Sequence, residues 1–370
     1  MIPVNTPSLT GNEKKYLAEC IDTEWISSEG PFIKKFEDAF ASYVGRQQGI
    51  AVANGSAALD VAVKAVGIGP GDEVIMPAFT IISPAASIVR EGGIPVLVDS
   101  DPVTWNMDVN RIEEKITPKT KAILVVHIYG LPVDMDPVLD IAKRHNLLVI
   151  EDAAEMHGQE YKGRKCGSFG DVSIFSFYPN KHITTGEGGM VVADDPEIAE
   201  RCRSLRNLCF MKERRFVHEE LGWNYRMTNL QAALGLAQLE QIDRFIDKKR
   251  AMGATYHAAF SSLPDMQLPL VETSYAKNIY WVFAMIPGDS YEGNAIKWMA
   301  KLGEEGIGSR PFFYPMHQQP VFLNQGLFKN ESYPVAEHIA EAGFYIPSGL
   351  GLSEKDMDIV IDKVTKLFSR

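Results

Sequence analysis

The chain has 370 residues, of which 45% are hydrophobic and 23% charged, and its formal net charge is −11. This length exceeds one typical domain, and the ordinary composition is typical of a folded globular protein. The negative charge argues against a nucleic-acid partner, because neutralising phosphates needs a basic surface. No signal-peptide pattern, no 18-residue apolar stretch and no metal-ligand spacing among the four cysteines is present. We therefore expect a cytoplasmic protein without membrane spans or a bound metal.

From residue 50 to 195, short apolar runs alternate with amphipathic segments. Helical spacing predicts helices over Ser56–Val66, Ser83–Arg90 and Pro137–His145. The apolar runs between them are IAVA, EVIMP, PVLVD, KAILVV and LLVIED, followed by DVSIFSF and GGMVVAD. This alternation predicts an α/β domain with a mainly parallel sheet that helices cover on both faces.

The last third of the chain is predicted to form a smaller α+β domain. The segment TNLQAALGLAQLEQIDRFIDKKRAMGATYHAAF has the pattern of one long helix or two nearly continuous ones, with Thr228 or Asn229 as N-cap. A strand in NIYWVFAMIP, a helix in NAIKWMAKLGEEG and a final helix after Ser353 follow. We expect a large domain over 1–245, with an N-terminal arm, and a small domain over 246–370.

An anion site is predicted where Gly55 and Ser56 follow the apolar IAVA and begin a helix. Glycine lets backbone N–H groups approach a ligand, the serine adds a hydroxyl, and the helix dipole favours negative charge. Taken alone, an ordinary helix N-cap explains the pattern equally well.

The next candidate functional residues are a carboxylate, Asp152, and a lysine, Lys181. Asp152 ends the run VIED at the carboxyl end of a predicted parallel strand, where open α/β sheets bind ligands. Lys181 lies in FSFYPNKHITTGEGG, in a turn between two apolar strands, and Ser176 precedes it as a further phosphate contact. A desolvated lysine amine forms Schiff bases, and a carboxylate beside a pyridinium nitrogen keeps the ring an electron sink. The structural alternatives are that Asp152 is only a solvated strand end and that Lys181 is only an exposed loop lysine.

The segments ANGSAAL, DEVIMPAFT, VIEDAAE, FSFYPNKHITTGEGG and GWNYRMTN together resemble the sugar aminotransferases of the DegT/DnrJ/EryC/StrS type. The resemblance covers nearly the whole chain and implies the aspartate aminotransferase-like fold of type I pyridoxal-phosphate (PLP) enzymes, with a seven-stranded sheet in the large domain. It implies Lys181 and Asp152 as catalytic residues, with Lys181 holding PLP as a Schiff base and moving protons. The cofactor contacts that it implies are Gly55, Ser56 and Ser176 at the phosphate, Phe79 on the ring face, Asp152 at the ring nitrogen, Glu155 near the phenolic oxygen and Asn224 from a neighbouring subunit.

The same resemblance implies the substrates. L-Glutamate would give its amino group to a nucleotide-linked keto-sugar, at C4 of a 4-keto-6-deoxyhexose, in the synthesis of surface polysaccharide or lipopolysaccharide sugars. His182, Arg310, Tyr314 and His317 are the implied substrate contacts. Since Asn224 would reach the neighbouring subunit's cofactor, the chain would form a homodimer with shared active sites, or a tetramer.

Several alternatives stay open. The segments Tyr178-Pro179 and Met156-His157-Gly158 depart from the sequence expected near the substrate pocket. Two other acceptors therefore stay open: a C3 keto-sugar and a sugar aldehyde such as an 8-oxidised octulosonate. A PLP-fold protein that binds or senses a sugar without turnover is a further alternative. A nicotinamide-dependent oxidoreductase is disfavoured because no GxGxxG follows the first strand. A dehydratase with histidine in place of the lysine is disfavoured by Lys181 itself.

Overall fold

The structure is a computed structural model of one chain, and it describes residues 1–211 and 213–369. In chain order, its helices are α1 (Glu13–Asp22), α2 (Pro31–Val44), α3 (Gly55–Ala65), α4 (Ser83–Arg90), α5 (Met135–His145), α6 (Pro196–Arg206), α7 (Asn229–Leu239), α8 (Ile242–Phe260), α9 (Ala295–Glu304), α10 (Pro320–Asn324), α11 (Pro334–Ala342) and α12 (Glu354–Phe368). Its strands are β1 (Gln48–Val52), β2 (Glu73–Pro77), β3 (Ile94–Val98), β4 (Thr120–Val126), β5 (Leu148–Asp152), β6 (Glu160–Tyr161), β7 (Arg164–Lys165), β8 (Val172–Ser176), β9 (Gly189–Ala193), β10 (Met266–Gln267), β11 (Phe283–Pro287), β12 (Arg310–Pro311) and β13 (Phe344–Ile346).

A seven-stranded sheet forms the centre of the first part of the chain, with the strand order β1-β9-β8-β5-β4-β2-β3. The strands β3, β2, β4, β5 and β8 pair in parallel, whereas β9 runs antiparallel to both β1 and β8. The predicted α/β fold with a mainly parallel seven-stranded sheet is thereby confirmed. The antiparallel β8–β9 pair is where the sequence departs from strand–helix alternation, and the loop between these strands carries Lys181.

The sheet is buried on both faces, as a parallel sheet between helices requires. Along β4, Leu124 points into the core that α3 and α4 cover, whereas Ile123 and Val125 point into the core that α2, α5 and α7 cover. Since neighbouring side chains of a strand face opposite sides, the central part of a strand that is buried on both faces tends to be a continuous apolar run. This explains the uninterrupted run AILVV in the sequence.

The predicted long helix is two helices, α7 and α8, which Glu240 and Gln241 separate. Thr228 is the N-cap of α7. Its hydroxyl accepts a hydrogen bond from the Gln231 N–H at 3.2 Å, and the Gln231 side chain accepts one from the Thr228 N–H at 2.9 Å. This reciprocal capping box fixes the start of the helix and confirms one of the two predicted N-caps.

A second sheet, with the order β10-β11-β13-β12, is antiparallel throughout. Its core contains apolar side chains of α8, α9 and α12, and Ser353 caps α12 as predicted. The predicted strand in NIYWVFAMIP is too long, because only Phe283–Pro287 is strand. Tyr280 has a φ of 50°, which no β-strand accommodates.

The predicted division of the chain at residue 245 stays a prediction. The helix α8 runs through that position without interruption. Among the described residues, none of the helices combines the length with the apolar character that crossing a bilayer requires.

Candidate active site

A cavity of about 610 Å³ lies at the carboxyl-terminal edge of the large sheet. The strand β5 ends there at Asp152 and β8 ends there at Ser176, and α3 begins there two residues after β1. Carboxyl ends of parallel strands are the usual ligand-binding edge of an open α/β sheet. The sequence-predicted site residues that line the cavity are Gly55, Ser56, Asp152, Glu155, Ser176 and Lys181.

One end of the cavity has the features of an anion site. Asn54 caps α3 by accepting a hydrogen bond from the Ala57 N–H at 2.8 Å. The hydroxyl oxygens of Ser56 and Ser83, each in the first turn of a helix, lie 2.7 Å apart. A Cβ atom added to Gly55 would lie only 2.7 Å from the Cβ of Ser176. Glycine therefore allows the start of α3 to approach the end of β8, and the serine hydroxyls line the cavity where they meet.

Lys181 reaches the cavity from the loop between β8 and β9. Its Nζ lies 3.8 Å from Glu155 Oε1 and 3.9 Å from the centroid of the Trp281 ring, and its side chain is 10% exposed. Burial lowers the pKa of Lys181, and the nearby carboxyls of Glu155 and Asp152 oppose that effect only in part. A lower pKa leaves more of the amine in its neutral, nucleophilic form.

The two acidic residues of the cavity are buried carboxyls. Burial raises the pKa of Asp152 to about 6 and the pKa of Glu155 to about 8. Asp152 accepts a hydrogen bond from the Ala154 N–H at 3.0 Å, and Glu155 accepts one from the Tyr129 N–H at 2.7 Å. Burial makes the ionised form of both carboxyls costly. A cation placed beside either carboxyl would therefore strongly stabilise its ionised form.

Glu151, on the opposite face of β5 from Asp152, fixes the end of that strand. It is fully buried and accepts hydrogen bonds from Phe169 N–H at 2.9 Å, Gly170 N–H at 3.2 Å and Ser173 Oγ at 2.9 Å. Although burial alone would raise its pKa, hydrogen bonds from His127 and from backbone N–H groups hold the pKa at about 2. The sequence marks this residue only as part of VIED, so its structural role was not predictable.

Glu151 also belongs to a buried cluster with His127 and Cys166, whose ligand-type atoms lie within 4.8 Å of one another. Both ring nitrogens of His127 are engaged. Nδ1 accepts a hydrogen bond from the Val133 N–H at 3.0 Å, and Nε2 lies 3.1 Å from Glu151. The first contact puts the imidazole proton on Nε2, so the histidine has no free lone pair to offer a metal.

Aromatic side chains that the sequence did not single out line another side of the cavity. They are Trp281, Phe313 and Tyr345. The Trp281 indole donates a hydrogen bond from Nε1 to the Asn180 carbonyl at 2.8 Å, one residue before Lys181. Trp281 and Tyr345 belong to apolar strand-like runs, and only the three-dimensional arrangement separates cavity-lining aromatics from core aromatics there.

Phe79 is placed differently from what its predicted role suggests. It is fully buried and packs against the rings of Tyr129, Phe312 and Phe313 at centroid distances of 5.9 to 6.0 Å. The next two residues, Thr80 and Ile81, line the cavity, and Phe79 is not among the lining residues. The predicted stacking of Phe79 on a cofactor ring stays a prediction.

Three of the predicted substrate contacts lie outside this cavity. His182 is 2% exposed and its Nε2 lies 3.3 Å from the Ile279 carbonyl oxygen, and His317 pairs with Glu337 at 2.9 Å. Tyr314 is 54% exposed. None of the three is among the lining residues, so their contact with a substrate stays a prediction.

Arg310 lines a smaller cavity of about 220 Å³ beside the main one. The two cavities share Tyr178, Asn180, Trp281 and Tyr345 as lining residues. The Arg310 guanidinium donates to the Ser309 carbonyl at 3.0 Å. This predicted contact therefore lies next to the catalytic cavity.

Asn224 does not line the cavity of its own chain. It is exposed and pairs with Asn207 in an isolated β-bridge. An exposed position is required of a side chain that serves a neighbouring subunit, and this role of Asn224 stays a prediction.

The lining residues fit a PLP molecule. Serine hydroxyls and the start of α3 suit its phosphate, the buried carboxyl of Asp152 suits a protonated ring nitrogen, and the Lys181 amine suits its aldehyde. The close approach that Gly55 permits is what a phosphate cup needs. The volume lies within the roughly 300–1,000 Å³ of small-molecule sites.

Comparisons with known proteins agree with this geometry. The DegT/DnrJ/EryC1/StrS aminotransferase family model matches residues 7–365. A GDP-perosamine synthase of Caulobacter vibrioides is 44% identical over 360 residues, 97% of this chain and 96% of that protein. A putative pyridoxal phosphate-dependent aminotransferase of Bacillus subtilis, EpsN, is 33% identical over 374 residues, 99% of this chain and 96% of that protein. The crystal structure of DesV from S. venezuelae has a TM-score of 0.90 and 33% identity, and the match covers 97% of this chain and 95% of DesV.

These matches confirm the predicted family, fold and cofactor. The segments NKHITTGEGGMV and YRMTN also predict a particular likeness to GDP-perosamine synthase, and the 44% identity confirms that likeness. The chain belongs to the DegT/DnrJ/EryC1/StrS aminotransferase family and is a PLP-dependent aminotransferase.

Proposed function

We propose that the enzyme transfers the amino group of L-glutamate to C4 of a GDP-linked 4-keto-6-deoxyhexose. The observation that carries the proposal is one cavity that holds Lys181, Asp152 and a serine-lined helix start together. The 44% identity to a GDP-perosamine synthase over nearly both chains supports the GDP-linked acceptor. Such an amino sugar serves in surface polysaccharide or lipopolysaccharide synthesis.

In this proposal, different residues of the cavity hold different parts of the cofactor. Gly55, Ser56 and Ser176 hold the phosphate, and Asp152 holds a proton on the ring nitrogen. PLP, when bound, supplies the electron sink that makes a proton on the neighbouring carbon acidic. Glu155, whose pKa burial raises to about 8, keeps a proton near neutral pH and can donate a hydrogen bond to the phenolic oxygen.

Lys181 is the proton carrier. As a neutral amine, its Nζ removes the proton from Cα of the glutamate, and in the second half of the reaction it returns a proton to one face of the sugar's C4. The Nζ lies 3.8 Å from Glu155 Oε1, so an ammonium formed there faces a carboxyl instead of apolar surface. Its place over the Trp281 ring adds a cation–π contact at 3.9 Å.

The acceptor would enter past Tyr178, which is 49% exposed and lines both neighbouring cavities. The Arg310 guanidinium at the smaller cavity suits the negative charge of a nucleotide diphosphate. Among the predicted substrate contacts, Arg310 is the one that this geometry supports best. The exposed Asn224 supports a homodimer in which each subunit completes the other's phosphate cup.

The test is a panel of acceptors. The purified enzyme is incubated with L-glutamate and, separately, with GDP-4-keto-6-deoxymannose, a nucleotide-linked 3-keto-sugar, other nucleotide-linked 4-keto-sugars and an 8-oxidised octulosonate. We expect amination of the GDP-linked 4-keto-sugar, which product mass and linkage analysis by NMR would establish. Turnover of another acceptor only would contradict the proposed substrate. Bound cofactor without any glutamate half-reaction would favour a sugar-binding protein instead.

A further inference from the structure

Lys249, in the middle of α8, is a buried lysine outside the cavity. It is 4% exposed, and its Nζ donates hydrogen bonds to the carbonyl oxygens of Trp281, at 2.9 Å, and Ser348. Burial lowers the pKa of Lys249 to about 7, with no opposing contribution from a carboxylate. Burying an amine without an acidic partner is costly. The two hydrogen bonds are therefore expected to hold the Lys249 amine in place.

The first of these bonds leads to Lys181 through Trp281. The Trp281 carbonyl is held by Lys249, while the ring of the same residue lies 3.9 Å from the Lys181 amine. The indole Nε1 also donates to the carbonyl of Asn180 at 2.8 Å. A shift of the Trp281 backbone would therefore move both the wall beneath the amine and the loop that carries it.

The second bond leads to the same loop by another route. The Ser348 N–H donates to the Val4 carbonyl at 3.1 Å, and the next residue of the N-terminal arm, Asn5, donates from its side chain to the Pro179 carbonyl at 2.9 Å. The Ser348 hydroxyl further accepts a hydrogen bond from the Phe283 N–H at 3.2 Å. Trp281 is thus linked to the segment 179–181 by one hydrogen bond, and Ser348 is linked to it by two hydrogen bonds through the N-terminal arm.

We propose that Lys249 is a positioning residue of the active site: by tying the Trp281 and Ser348 backbones together, it sets the place of the Lys181 amine in the cavity. This inference rests on the proposed role of Lys181 as the residue that bonds PLP. It adds that a side chain of α8, which does not line the catalytic cavity, controls how readily that bond forms.

The experiment measures how fast cofactor-free protein regains PLP on Lys181. Bond formation is followed by the visible absorbance of the lysine-bound cofactor and, after borohydride trapping, by mass spectrometry of the Lys181 peptide. We expect Lys249→Met to slow labelling about tenfold, since a misplacement of about 1 Å can cost a hundredfold in rate. Lys249→Arg, which keeps the donors, should recover the rate to within about threefold. If Lys249→Met does not fold, Lys249→Gln, too short to span both carbonyls, is expected to show the same slowing.

Lys248→Met is the matched control. Lys248 is the neighbouring residue and donates to the Leu350 carbonyl at 2.6 Å, which is not a contact to Trp281 or Ser348, and its loss should leave the labelling rate within about twofold. A second control is Trp281→Phe, in whose background Lys249→Met should slow labelling further by less than about threefold, because one route to Lys181 is already weakened.

Three results would overturn the inference: an unchanged rate in folded Lys249→Met, equal slowing by Lys248→Met, or independent, multiplying effects of the Lys249 and Trp281 changes. Failure of the wild-type protein to label at Lys181 would instead contradict the proposed function. The two failures are therefore distinguishable.

Discussion

Asp152, the last residue of β5, and Glu155 lie three residues apart in the chain, and burial raises the pKa of both carboxyls. Their surroundings differ. Asp152 accepts a backbone hydrogen bond from Ala154 and Glu155 accepts one from Tyr129, but Glu155 also faces the Lys181 amine at 3.8 Å. The two proposed roles, Asp152 at the ring nitrogen and Glu155 near the phenolic oxygen, can therefore be tested separately.

Asp152→Asn is expected to retain weak PLP binding and to lose most of the rate. The amide cannot hold a proton on the ring nitrogen, so the electron sink weakens, and the loss of one group that stabilises transition-state charge is worth about 10²–10³-fold. Stopped-flow measurement of the glutamate half-reaction checks this. Asp140→Asn, at an exposed carboxylate that pairs with Arg144, is the control. A half-reaction within about twofold of wild type in Asp152→Asn would exclude the assigned role.

Glu155→Gln is expected to make the cofactor-free protein relatively more stable at alkaline pH. The folded protein keeps the Glu155 proton up to about pH 8, whereas an ordinary glutamate loses it near 4.5. The unfolded chain is therefore ionised first, so Glu155 costs nothing at low pH and stability falls as pH rises toward 8. The amide removes this loss.

Urea unfolding at about pH 5 and about pH 8.5 measures the effect. Relative to wild type, Glu155→Gln should gain on the order of 4 kcal/mol between the two conditions. Glu114→Gln, at an exposed position, should show no such gain. A gain that is equal at both pH values would show that the Glu155 carboxyl is not the group that titrates.

At the residue scale, the sequence predicted the charged members of the site better than the aromatic ones. Asp152 ends an apolar strand and Lys181 lies in the loop between two apolar strands, so both charges stood out in the sequence. Trp281 and Tyr345 belong to apolar strand-like runs, and there a cavity wall and a core position have the same pattern. His182 and His317 have the polar character of binding residues, but they form hydrogen bonds within the protein.

At the scale of elements, the local signals that worked were helix starts and strand ends. The capping box at Thr228 and the start of α3 at Gly55 follow from residues next to each other in the chain. The helix α3 lies one residue earlier than predicted, and α5 begins two residues earlier, at Met135. The predicted length of β11 was wrong because a local turn precedes the strand: Tyr280 has a left-handed φ of 50°, and its N–H donates a hydrogen bond to the Asn278 side chain at 2.6 Å. The apolar pattern of the run does not reveal this turn.

Gly55→Ala tests the start of α3 as part of the phosphate cup. The new Cβ would lie 2.7 Å from Ser176 Cβ and 3.0 Å from Ser176 Oγ, so the helix start and β8 have to separate. We expect PLP affinity to fall about tenfold or more, as titration of the cofactor-free protein would measure. Gly303→Ala, in α9 with no atom within 4 Å of the new Cβ, should bind PLP normally. Unchanged affinity in Gly55→Ala would contradict the assigned cup.

At the scale of the whole molecule, the mainly parallel sheet followed from the alternation of strands and helices and its seven strands from the family resemblance, whereas the subunit arrangement had no such signal in the chain. A homodimer rests on the position of Asn224, which is exposed and outside its own chain's cavity. The domain division near residue 245 likewise has no local signal, since α8 passes through it.

Subunit mixing tests the shared site. Lys181→Ala and Asn224→Ala chains, co-expressed with different tags, form hybrid dimers. When Asn224 acts across the interface, one active site of the hybrid lacks both side chains and the other keeps both. If Asn224 serves the neighbouring subunit, a statistical mixture should regain about a quarter of wild-type activity, and purified hybrids about half. Purified hybrids no more active than the parent variants would show that Asn224 acts within its own chain or not at all.

The central claim is that the amine of Lys181 bonds PLP. Its most direct measurement is borohydride reduction of the wild-type enzyme with bound PLP, followed by proteolysis and mass spectrometry of every lysine-containing peptide. The account predicts a single stoichiometric phosphopyridoxyl label on Lys181. A label on Lys249, on another lysine, or on none would contradict it.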